Sequence, residues 1–300
     1  MREGQPPADR PDSALNPQAP VLDYLVVGHV TKDVVPEGFV LGGTVTFASL
    51  TARNLGRRAA VLTRSAPLTG LAGYLQGIAL HVVPAAETTT FENVYTPTGR
   101  TQYLRAAAPP IPIDAVPAAW RAARVVHLGP VAQEVPPDLA DTFGVRTLIG
   151  VTPQGWLRAW DSSGLVQTPA PWPTAERVLE RADVLIFSPE DVGGDPTLVR
   201  HYAEMARLAV VTHHRDGCVV WQHGRQERFP AFAVDEVDPT GAGDVFAAAF
   251  LLGYGDTRDS TESARFANCA ASFVVEGRGA AAIPTLDQVE HRLRSGKLRT

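Results

Sequence analysis

The segment that decides the fold is Val234–Leu252, VDEVDPTGAGDVFAAAFLL. Its first half predicts a turn, which runs from Asp238 to Gly243 and contains two glycines. Its second half predicts a helix, because apolar residues recur at helical spacing and no breaker interrupts them. Glycine lets successive backbone amides turn toward one point, and the positive end of a helix dipole attracts anions. The segment therefore indicates a binding place for phosphate oxygens where the helix begins.

Asp244 stands at the mouth of that place. A fixed carboxylate repels bound phosphate unless it has a chemical task, and the natural task is to take a proton from a hydroxyl that attacks phosphorus. Residues 241–247 also fit the loose dinucleotide pattern G-x-G-x-x-G/A, but a second helix follows where that fold needs a strand and an acid. An ordinary glycine turn before a core helix is the remaining alternative at this point.

The run from Asp238 to Asp244, DPTGAGD, resembles the C-terminal signature of the ribokinase-like (PfkB) carbohydrate kinases. The run from Leu41 to Thr44, LGGT, followed by a helix that ends near Gly56, is similar to their N-terminal element. The similarity extends from about Tyr24 to Leu286. It implies a kinase that uses ATP and Mg²⁺ to phosphorylate a hydroxyl group. It further implies that Asp244 is the base and that the amides of Ala242 and Gly243, in the turn that begins at the catalytic-site residue Gly241, hold the transferred phosphoryl group.

Composition limits the classes of protein that the chain can represent. With 300 residues, of which 45% are hydrophobic, it can bury one substantial core with a small appendage. A net charge of −5 disfavours a nucleic-acid surface. Cys218 and Cys269 lie in apolar runs and are expected to be buried thiols of a cytoplasmic protein. No run approaches the ~20 apolar residues of a membrane span, and residues 1–20, with five prolines, are expected to be a disordered tail.

Strands and helices alternate over most of the chain, which predicts an α/β fold with a mostly parallel sheet that is covered on both faces. The resemblance implies the ribokinase-like three-layer α/β/α arrangement over residues 21–300. It also implies a small β lid, formed from about 30–41 and 88–104. Such a lid would exclude water from the site, and it is the expected place of a homodimer contact.

The substrate side of the site is expected where strand Tyr24–Gly28 ends. Asp33 follows that strand, and a carboxylate can accept hydrogen bonds from two hydroxyls of a polyol, although a solvated turn residue is an equal alternative. The resemblance favours substrate binding, and it implies that Gly42 and Gly43 let hydroxyl groups approach the backbone closely.

The identity of the phosphoryl acceptor is inferred from two places where this sequence differs from the ribokinases. Thr46-Phe47 stands where ribokinases present a sugar-binding asparagine, and Gln154 to Arg158, QGWLR, is similar to the inositol kinase branch. Gln154, Arg158 and Glu134 are therefore expected around the rim of myo-inositol, the leading acceptor, although Arg158 could equally pair with a nearby acid.

The resemblance also implies the residues of the phosphoryl donor and its metal. Thr212 and Gly217 would line the nucleotide phosphates, although Thr212-His213-His214 departs from the family's Thr-x-Gly. Glu190 and Asp191 would support Mg²⁺ through bound water, with Ser188 where the family has asparagine. The expected residues of the adenine pocket are Ala267 and Asn268.

These observations predict an ATP-dependent kinase of a small sugar or polyol. Two alternatives stay open. A nucleoside kinase shares the fold, and a catalytically silent ligand-binding or regulatory protein is the alternative from another class.

Overall fold

The computed structural model describes residues 21–68, 72–96 and 99–299, so the expected tail over residues 1–20 lies outside the described residues. The strands, numbered along the chain, are β1 (Tyr24–Val27), β2 (Thr31–Val35), β3 (Gly38–Gly42), β4 (Ala59–Ser65), β5 (Ala79–Pro84), β6 (Thr90–Thr96), β7 (Gly99–Ala106), β8 (Val125–Leu128), β9 (Leu148–Val151), β10 (Ala159–Trp160), β11 (Val166–Gln167), β12 (Val184–Phe187), β13 (Leu208–Thr212), β14 (Cys218–Gln222) and β15 (Arg225–Phe229). The helices are α1 (Thr44–Asn54), α2 (Ala175–Arg181), α3 (Pro196–Met205), α4 (Ala242–Thr257), α5 (Ser260–Val274) and α6 (Leu286–Ser295).

A nine-stranded sheet forms the centre of the protein, in the order β15-β14-β13-β12-β9-β8-β1-β4-β5. The seven strands from β13 to β5 are parallel, and β14 and β15 form an antiparallel extension at one edge. The four central strands β1, β8, β9 and β12 are buried along their whole length, as parallel strands covered on both faces must be. The predicted α/β fold with a mostly parallel sheet is confirmed.

Helices cover both faces of this sheet and complete three layers. Helices α1, α4, α5 and α6 share one hydrophobic core with the sheet. Helices α2 and α3 share a second core on the opposite face. The helix predicted from the VDEVDPTGAGDVFAAAFLL segment is α4, and its residues from Val245 to Leu252 are all buried.

A second, four-stranded sheet has the order β3-β2-β6-β7 and lies over the carboxyl ends of the central strands. Its strands cover residues 31–42 and 90–106, close to the segments expected to form a lid. Residues 97–98 of the expected turn lie outside the described residues. Asp33, Phe91 and Leu104 occupy directly opposed positions, so they share one face of this small sheet.

Helix α1 begins at Thr44 rather than near Thr46, where the sequence predicts its start. The reason is the backbone of Gly43, whose φ of 84° ends strand β3 abruptly and lets the helix begin at once. Within the part of the chain described, no helix is long and apolar enough to cross a bilayer.

Candidate active site

A cleft of about 610 Å³ runs along the carboxyl ends of the central strands, beneath the four-stranded sheet. In open α/β sheets this edge is where ligands bind, since loops and helix N-termini converge there. The cleft has three regions: an end lined by the small sheet and α1, a middle at the start of α4, and an end bounded by β13, residues 231–236 and α5.

The glycine turn forms the middle of the cleft. Gly241 has a left-handed backbone (φ 82°), and its carbonyl accepts the Val245 amide at 2.9 Å as α4 begins. The Ala242 amide donates to the Pro239 carbonyl at 3.1 Å, so it is not directed at a ligand in this structure. Among the described residues, the amides of Gly243 and Asp244 have no backbone acceptor. The amides that remain available to an anion at this helix N-terminus are therefore those of Gly243 and Asp244, whereas the amide of Ala242, which was expected to share this role with Gly243, is engaged.

Asp244 lies in the first turn of α4, on the floor of the cleft. Its surface is partly accessible from the cleft, but dense protein surrounds it, and this burial raises the pKa of its carboxyl group from 3.8 to about 6. A hydrogen bond from the Thr44 hydroxyl and the positive charge of Arg158 oppose the rise, whereas the carboxylates of Asp191 and Asp33 add to it. At neutral pH the group is ionised and is a far better proton acceptor than an ordinary aspartate.

The end under the small sheet holds Asp33. Its Oδ1 accepts the Thr31 hydroxyl at 3.2 Å. A β-carbon on Gly42 would lie 2.3 Å from Asp33 Oδ2, so Gly42 makes room for the carboxylate, and Gly43 lines the cleft beside it. The structure therefore brings Asp33 and Gly43 together in the cleft, with Gly42 just behind them.

Arg158 is 9% exposed, and the charge of its guanidinium acts on two carboxylates of the cleft, those of Asp191 and Asp244. Its Nη1 donates to the Val131 carbonyl at 3.2 Å, and its Cζ lies 5.5 Å from the centroid of the Phe91 ring. Its charge lowers the pKa of both Asp191 and Asp244 against the opposing effect of burial. Arg158 thus offsets part of the negative charge that would otherwise repel an anionic donor.

Glu134 does not line the cleft. Its buried carboxylate accepts the amides of His29 at 2.7 Å and Ala132 at 2.7 Å, and the amide of Val131 at 3.0 Å. These bonds engage both carboxylate oxygens, so Glu134 joins the loop after β8 to the end of β1. The expectation that Glu134 contacts the substrate is corrected accordingly.

Asp191 and Glu190 belong to a 3₁₀ turn, Pro189–Val192, at the end of β12. The Asp191 carboxylate caps this turn, accepting the Ser188 amide at 2.8 Å and hydroxyl at 3.2 Å, and Gln154 donates to the same carboxylate. The exposed Glu190 accepts from His214 Nε2 at 3.0 Å. Within the described residues, no three His, Cys, Asp or Glu side chains are grouped to hold a metal ion. A magnesium ion here would consequently depend on donor phosphates and water for most of its ligands.

The opposite end of the cleft contains Thr212, which ends β13, and His214 and Gly217, which follow it. Gly217 has φ 92°, and a β-carbon there would lie 2.0 Å from the Phe229 carbonyl oxygen, so only glycine fits. Thr212 donates to the Phe187 carbonyl at 3.4 Å. Thr212 and Gly217, the two residues expected to line the phosphates of the nucleotide, are therefore both present at this end of the cleft, together with His214.

Of the two residues expected at an adenine pocket, Ala267 is fully buried and does not line the cleft. Asn268 lines it, but its amide nitrogen donates to the carbonyls of Phe229 at 3.1 Å and Pro230 at 3.4 Å. These bonds hold the backbone after β15 against α5. The side chains that form the walls of this end are instead Ala231, Phe232, Val234, Ala271, Ser272, Val275 and Arg299.

Several cleft residues were absent from the prediction. Asn93 and Gln102 face each other across β6 and β7, with Gln102 Nε2 donating to Asn93 Oδ1 at 3.0 Å. Asn93 lies two residues from Phe91 and Gln102 two residues from Leu104, which is a detectable signal, since every second strand residue shares a face. Thr44, Thr152 and Arg299 carry no such signal, because only the folded chain places them in the cleft.

A parallel α/β sheet whose edge presents a carboxylate and two amides at one helix N-terminus is an arrangement suited to phosphoryl transfer. Residues 176–286 match the family described as pfkB family carbohydrate kinase. An inositol 3-kinase of Zea mays is 26% identical over 290 residues, which covers 89% of this chain and 74% of that one. A cytidine kinase of Thermococcus kodakarensis is 25% identical over 82% of this chain and 93% of that one.

Among solved structures, a pyrophosphate-dependent kinase in the ribokinase family, complexed with a pyrophosphate analog and myo-inositol, superimposes with a TM-score of 0.74. It is 23% identical, and the match covers 89% of this chain and 99% of that one. The fold is ribokinase-like. The family match and the curated relatives together support a pfkB-type carbohydrate kinase near the inositol kinase branch. The chain is thus a sugar or nucleoside kinase of the ribokinase type.

Proposed function

We propose that the protein transfers a phosphoryl group from ATP to a hydroxyl of a small polyol, with myo-inositol as the leading acceptor. The observation that carries the proposal is the position of Asp244, between a polar end of the cleft and an apolar end, beside the amides of the glycine turn. In this reaction the carboxylate accepts the hydroxyl proton as the oxygen attacks the γ-phosphorus, the bond from that phosphorus to the β–γ bridging oxygen breaks, and ADP leaves. The Gly243 and Asp244 amides stabilise the charge on the transferred phosphoryl oxygens.

The polar end supports a polyol. This end is lined by one carboxylate, one guanidinium and three amide side chains. They belong to Asp33, Arg158, Asn93, Gln102 and Gln154. A ring with a hydroxyl on every carbon needs donors and acceptors around its rim, and this set supplies both. A site built in this way discriminates against acceptors that lack a hydroxyl, because its own buried groups would then have no partner.

A nucleoside is the second candidate acceptor, favoured by the similarity to a cytidine kinase. The base of a nucleoside would need aromatic surface, and Phe91, which lies opposite Asp33 on the small sheet, lines this end of the cleft. One approach to that ring is taken by Arg158, whose Cζ lies 5.5 Å from the centroid. A polyol is therefore the better match to this end of the cleft.

The apolar end supports a nucleotide donor. Ala231, Phe232, Val234 and Val275 line an apolar slot, which suits the planar base of a nucleotide. Arg215 and Arg299 also line this end and can face phosphates. Pyrophosphate is the alternative donor, because a structure of similar fold is described as pyrophosphate-dependent.

Magnesium belongs to the same proposal. When bound, the ion neutralises charge on the donor phosphates. Glu190, whose side chain is 76% exposed, is the carboxylate best able to accept hydrogen bonds from metal-bound water. Asp191 can contribute only through oxygen lone pairs that Ser188 and Gln154 leave unused.

The four-stranded sheet is proposed to act as the lid and to join two subunits. Edge strand β3 exposes Phe39 and Val40, at 54% and 49% of their surfaces. An unpaired strand edge with exposed apolar side chains is a favourable surface for a second copy. Sedimentation analysis should give a dimer, and Val40→Lys should shift it to monomer; a monomeric wild type would exclude this contact.

One screen tests the proposed activity. Purified protein is given ATP or pyrophosphate, each with Mg²⁺, and myo-inositol, ribose, fructose, 2-keto-3-deoxygluconate, adenosine or cytidine. The highest kcat/KM is expected with ATP and myo-inositol. A tenfold preference for another acceptor would reject the cyclitol, turnover with pyrophosphate alone would reject the nucleotide donor, and no transfer from either donor to any acceptor would reject the proposed activity.

A further inference from the structure

A buried polar chain runs through the central sheet toward Asp244. It consists of Tyr24 on β1, His127 on β8 and Thr152 just after β9, three neighbouring strands. The Tyr24 hydroxyl lies 2.7 Å from His127 Nδ1, and His127 Nε2 lies 2.9 Å from the Thr152 hydroxyl. Tyr24 and His127 are completely buried, whereas Thr152 lines the cleft.

The Thr152 end of this hydrogen-bonded series lies close to Asp244, the proposed general base. A β-carbon on Gly129 would be 2.5 Å from Thr44 Cγ2 and 3.4 Å from the Thr152 hydroxyl, so the two threonines are neighbours. Thr44 donates to the Asp244 carboxylate. The Thr152 hydroxyl therefore lines the cleft beside the threonine that donates to Asp244.

The direction of the hydrogen bonds follows from burial. Deep burial lowers the pKa of His127 to about 3, so the ring is neutral and carries one N–H. If Nδ1 carried that proton, the Tyr24 hydroxyl hydrogen would have no acceptor among the described residues, since His127 is its only recorded partner. An unmatched buried donor is costly, so Tyr24 donates to Nδ1 and Nε2–H donates to Thr152.

This direction determines what Thr152 can do. Its oxygen accepts from His127, which leaves its own O–H free to donate into the cleft. We propose that Thr152 is a positioning residue for the acceptor, that it donates to an acceptor oxygen beside Asp244, and that Tyr24 and His127 fix it as a donor. The inference rests on the proposed function, because it takes Asp244 as the base of a hydroxyl phosphorylation.

The experiment compares Thr152→Val, which keeps the shape and loses the hydroxyl, with Thr152→Ser, which keeps the hydroxyl. With ATP and myo-inositol, Thr152→Val should lower kcat/KM for myo-inositol by about 5- to 100-fold, and Thr152→Ser should restore it to within about threefold of wild type. The KM for ATP should stay within about twofold. Thr51→Val is the matched control, since the buried Thr51 hydroxyl donates only within α1, to Phe47 at 2.7 Å, and both parameters should be unchanged.

Tyr24→Phe tests the hydrogen-bonded relay from Tyr24 through His127 to Thr152, because it removes the hydroxyl at the end of the relay that lies outside the cleft. It should lower kcat/KM for myo-inositol by about 2- to 10-fold, without altering the KM for ATP. Wild-type values for Thr152→Val, or a rise in the KM for ATP alone, would overturn the proposal even if the wild-type enzyme is an active kinase.

A measurement without substrate separates this proposal from the proposed function. Nitrogen-15 NMR of the free protein should show one histidine as the Nε2–H tautomer over the whole folded pH range, and its signals should shift in Tyr24→Phe. The Nδ1–H tautomer would contradict the relay whatever the activity. Absence of any transfer by the wild type would contradict the proposed function, and the relay would then be judged on the tautomer alone.

Discussion

A β-carbon on Gly241 would lie 2.3 Å from Cδ1 of Phe47, which packs under the glycine turn from helix α1. This contact connects the two sequence elements that resemble the kinase family. Phe47 stands where the sequence departs from ribokinases, and in the structure its ring forms the surface on which the turn rests. The shape of the glycine turn before α4 therefore depends on Phe47, which is almost 200 positions earlier in the sequence.

Gly241→Ala should reduce both stability and turnover. The left-handed backbone at φ 82° and the contact with Phe47 each oppose a side chain, so the free energy of unfolding should fall by about 1–3 kcal/mol. Gly243→Ala is the matched control for stability, because a β-carbon there meets no atom within 4 Å. Its free energy of unfolding should be unchanged or raised by up to about 1 kcal/mol, while its turnover falls. Denaturant titration decides the matter: equal losses of stability in both variants would contradict this geometry.

Asp33→Ala should raise the KM for myo-inositol by roughly ten- to a hundredfold and leave the KM for ATP unchanged. The reason is the loss of a charge-assisted hydrogen bond at the polar end of the cleft. Steady-state kinetics with each substrate varied in turn provide the measurement, and the exposed Asp114→Ala serves as control. A change in the KM for ATP instead would mean that the two ends of the cleft are assigned the wrong way round.

Glu134→Gln should destabilise the fold without changing recognition of the acceptor. The substitution replaces one of two buried carboxylate oxygens, which accept three backbone amides, with an NH₂ group that cannot accept. The free energy of unfolding should fall by about 2–5 kcal/mol, measured against the exposed Glu176→Gln. At a temperature where the variant is folded, the KM for myo-inositol should stay within twofold. A raised KM with unchanged stability would return Glu134 to the substrate site.

Asp244→Asn should stabilise the protein at alkaline pH. Burial raises the pKa of Asp244 to about 6 in the folded state, against 3.8 when unfolded, so the folded state binds more protons between these values. The free energy of unfolding of the wild type therefore falls as pH rises from 3.8 to about 6, and the full decrease is present at higher pH. Asparagine carries no charge, so Asp244→Asn avoids the cost of ionising this buried group. Its free energy of unfolding should exceed that of the wild type by about 1–3 kcal/mol at pH 8, and this difference should vanish below pH 4. Denaturant titrations at both pH values test this, and an equal gain at both would contradict the raised pKa.

The parts of the site that are local in sequence could be predicted. The turn from Asp238 to Gly243 and the helix after it depend on residue types within one segment, so α4 and the position of Asp244 were both derived from the sequence. Gln154 follows β9 and Thr212 ends β13, so the common edge of the parallel sheet brings both into one cleft. Asp33 reaches the same cleft from β2 of the small sheet.

The rest depends on partners that the sequence does not place. A carboxylate in a loop looks like a ligand for substrate until the amide of His29, 105 residues away, is found to donate to it, as Glu134 shows. Asn268 is a similar case, because its partners are carbonyls beyond β15. The chain of Tyr24, His127 and Thr152 crosses three strands and leaves no periodic signal in any of them.

The central claim is that Asp244 is the base of a phosphoryl transfer to a polyol, and the most direct test follows transfer itself. Phosphorus NMR of the wild type and of Asp244→Asn, each with ATP, Mg²⁺ and myo-inositol, measures formation of inositol phosphate, while calorimetry measures ATP binding. The account predicts transfer by the wild type, and a rate lower by about 10²–10⁴-fold in Asp244→Asn with ATP affinity within about twofold. Turnover by Asp244→Asn within tenfold of the wild-type rate would contradict it.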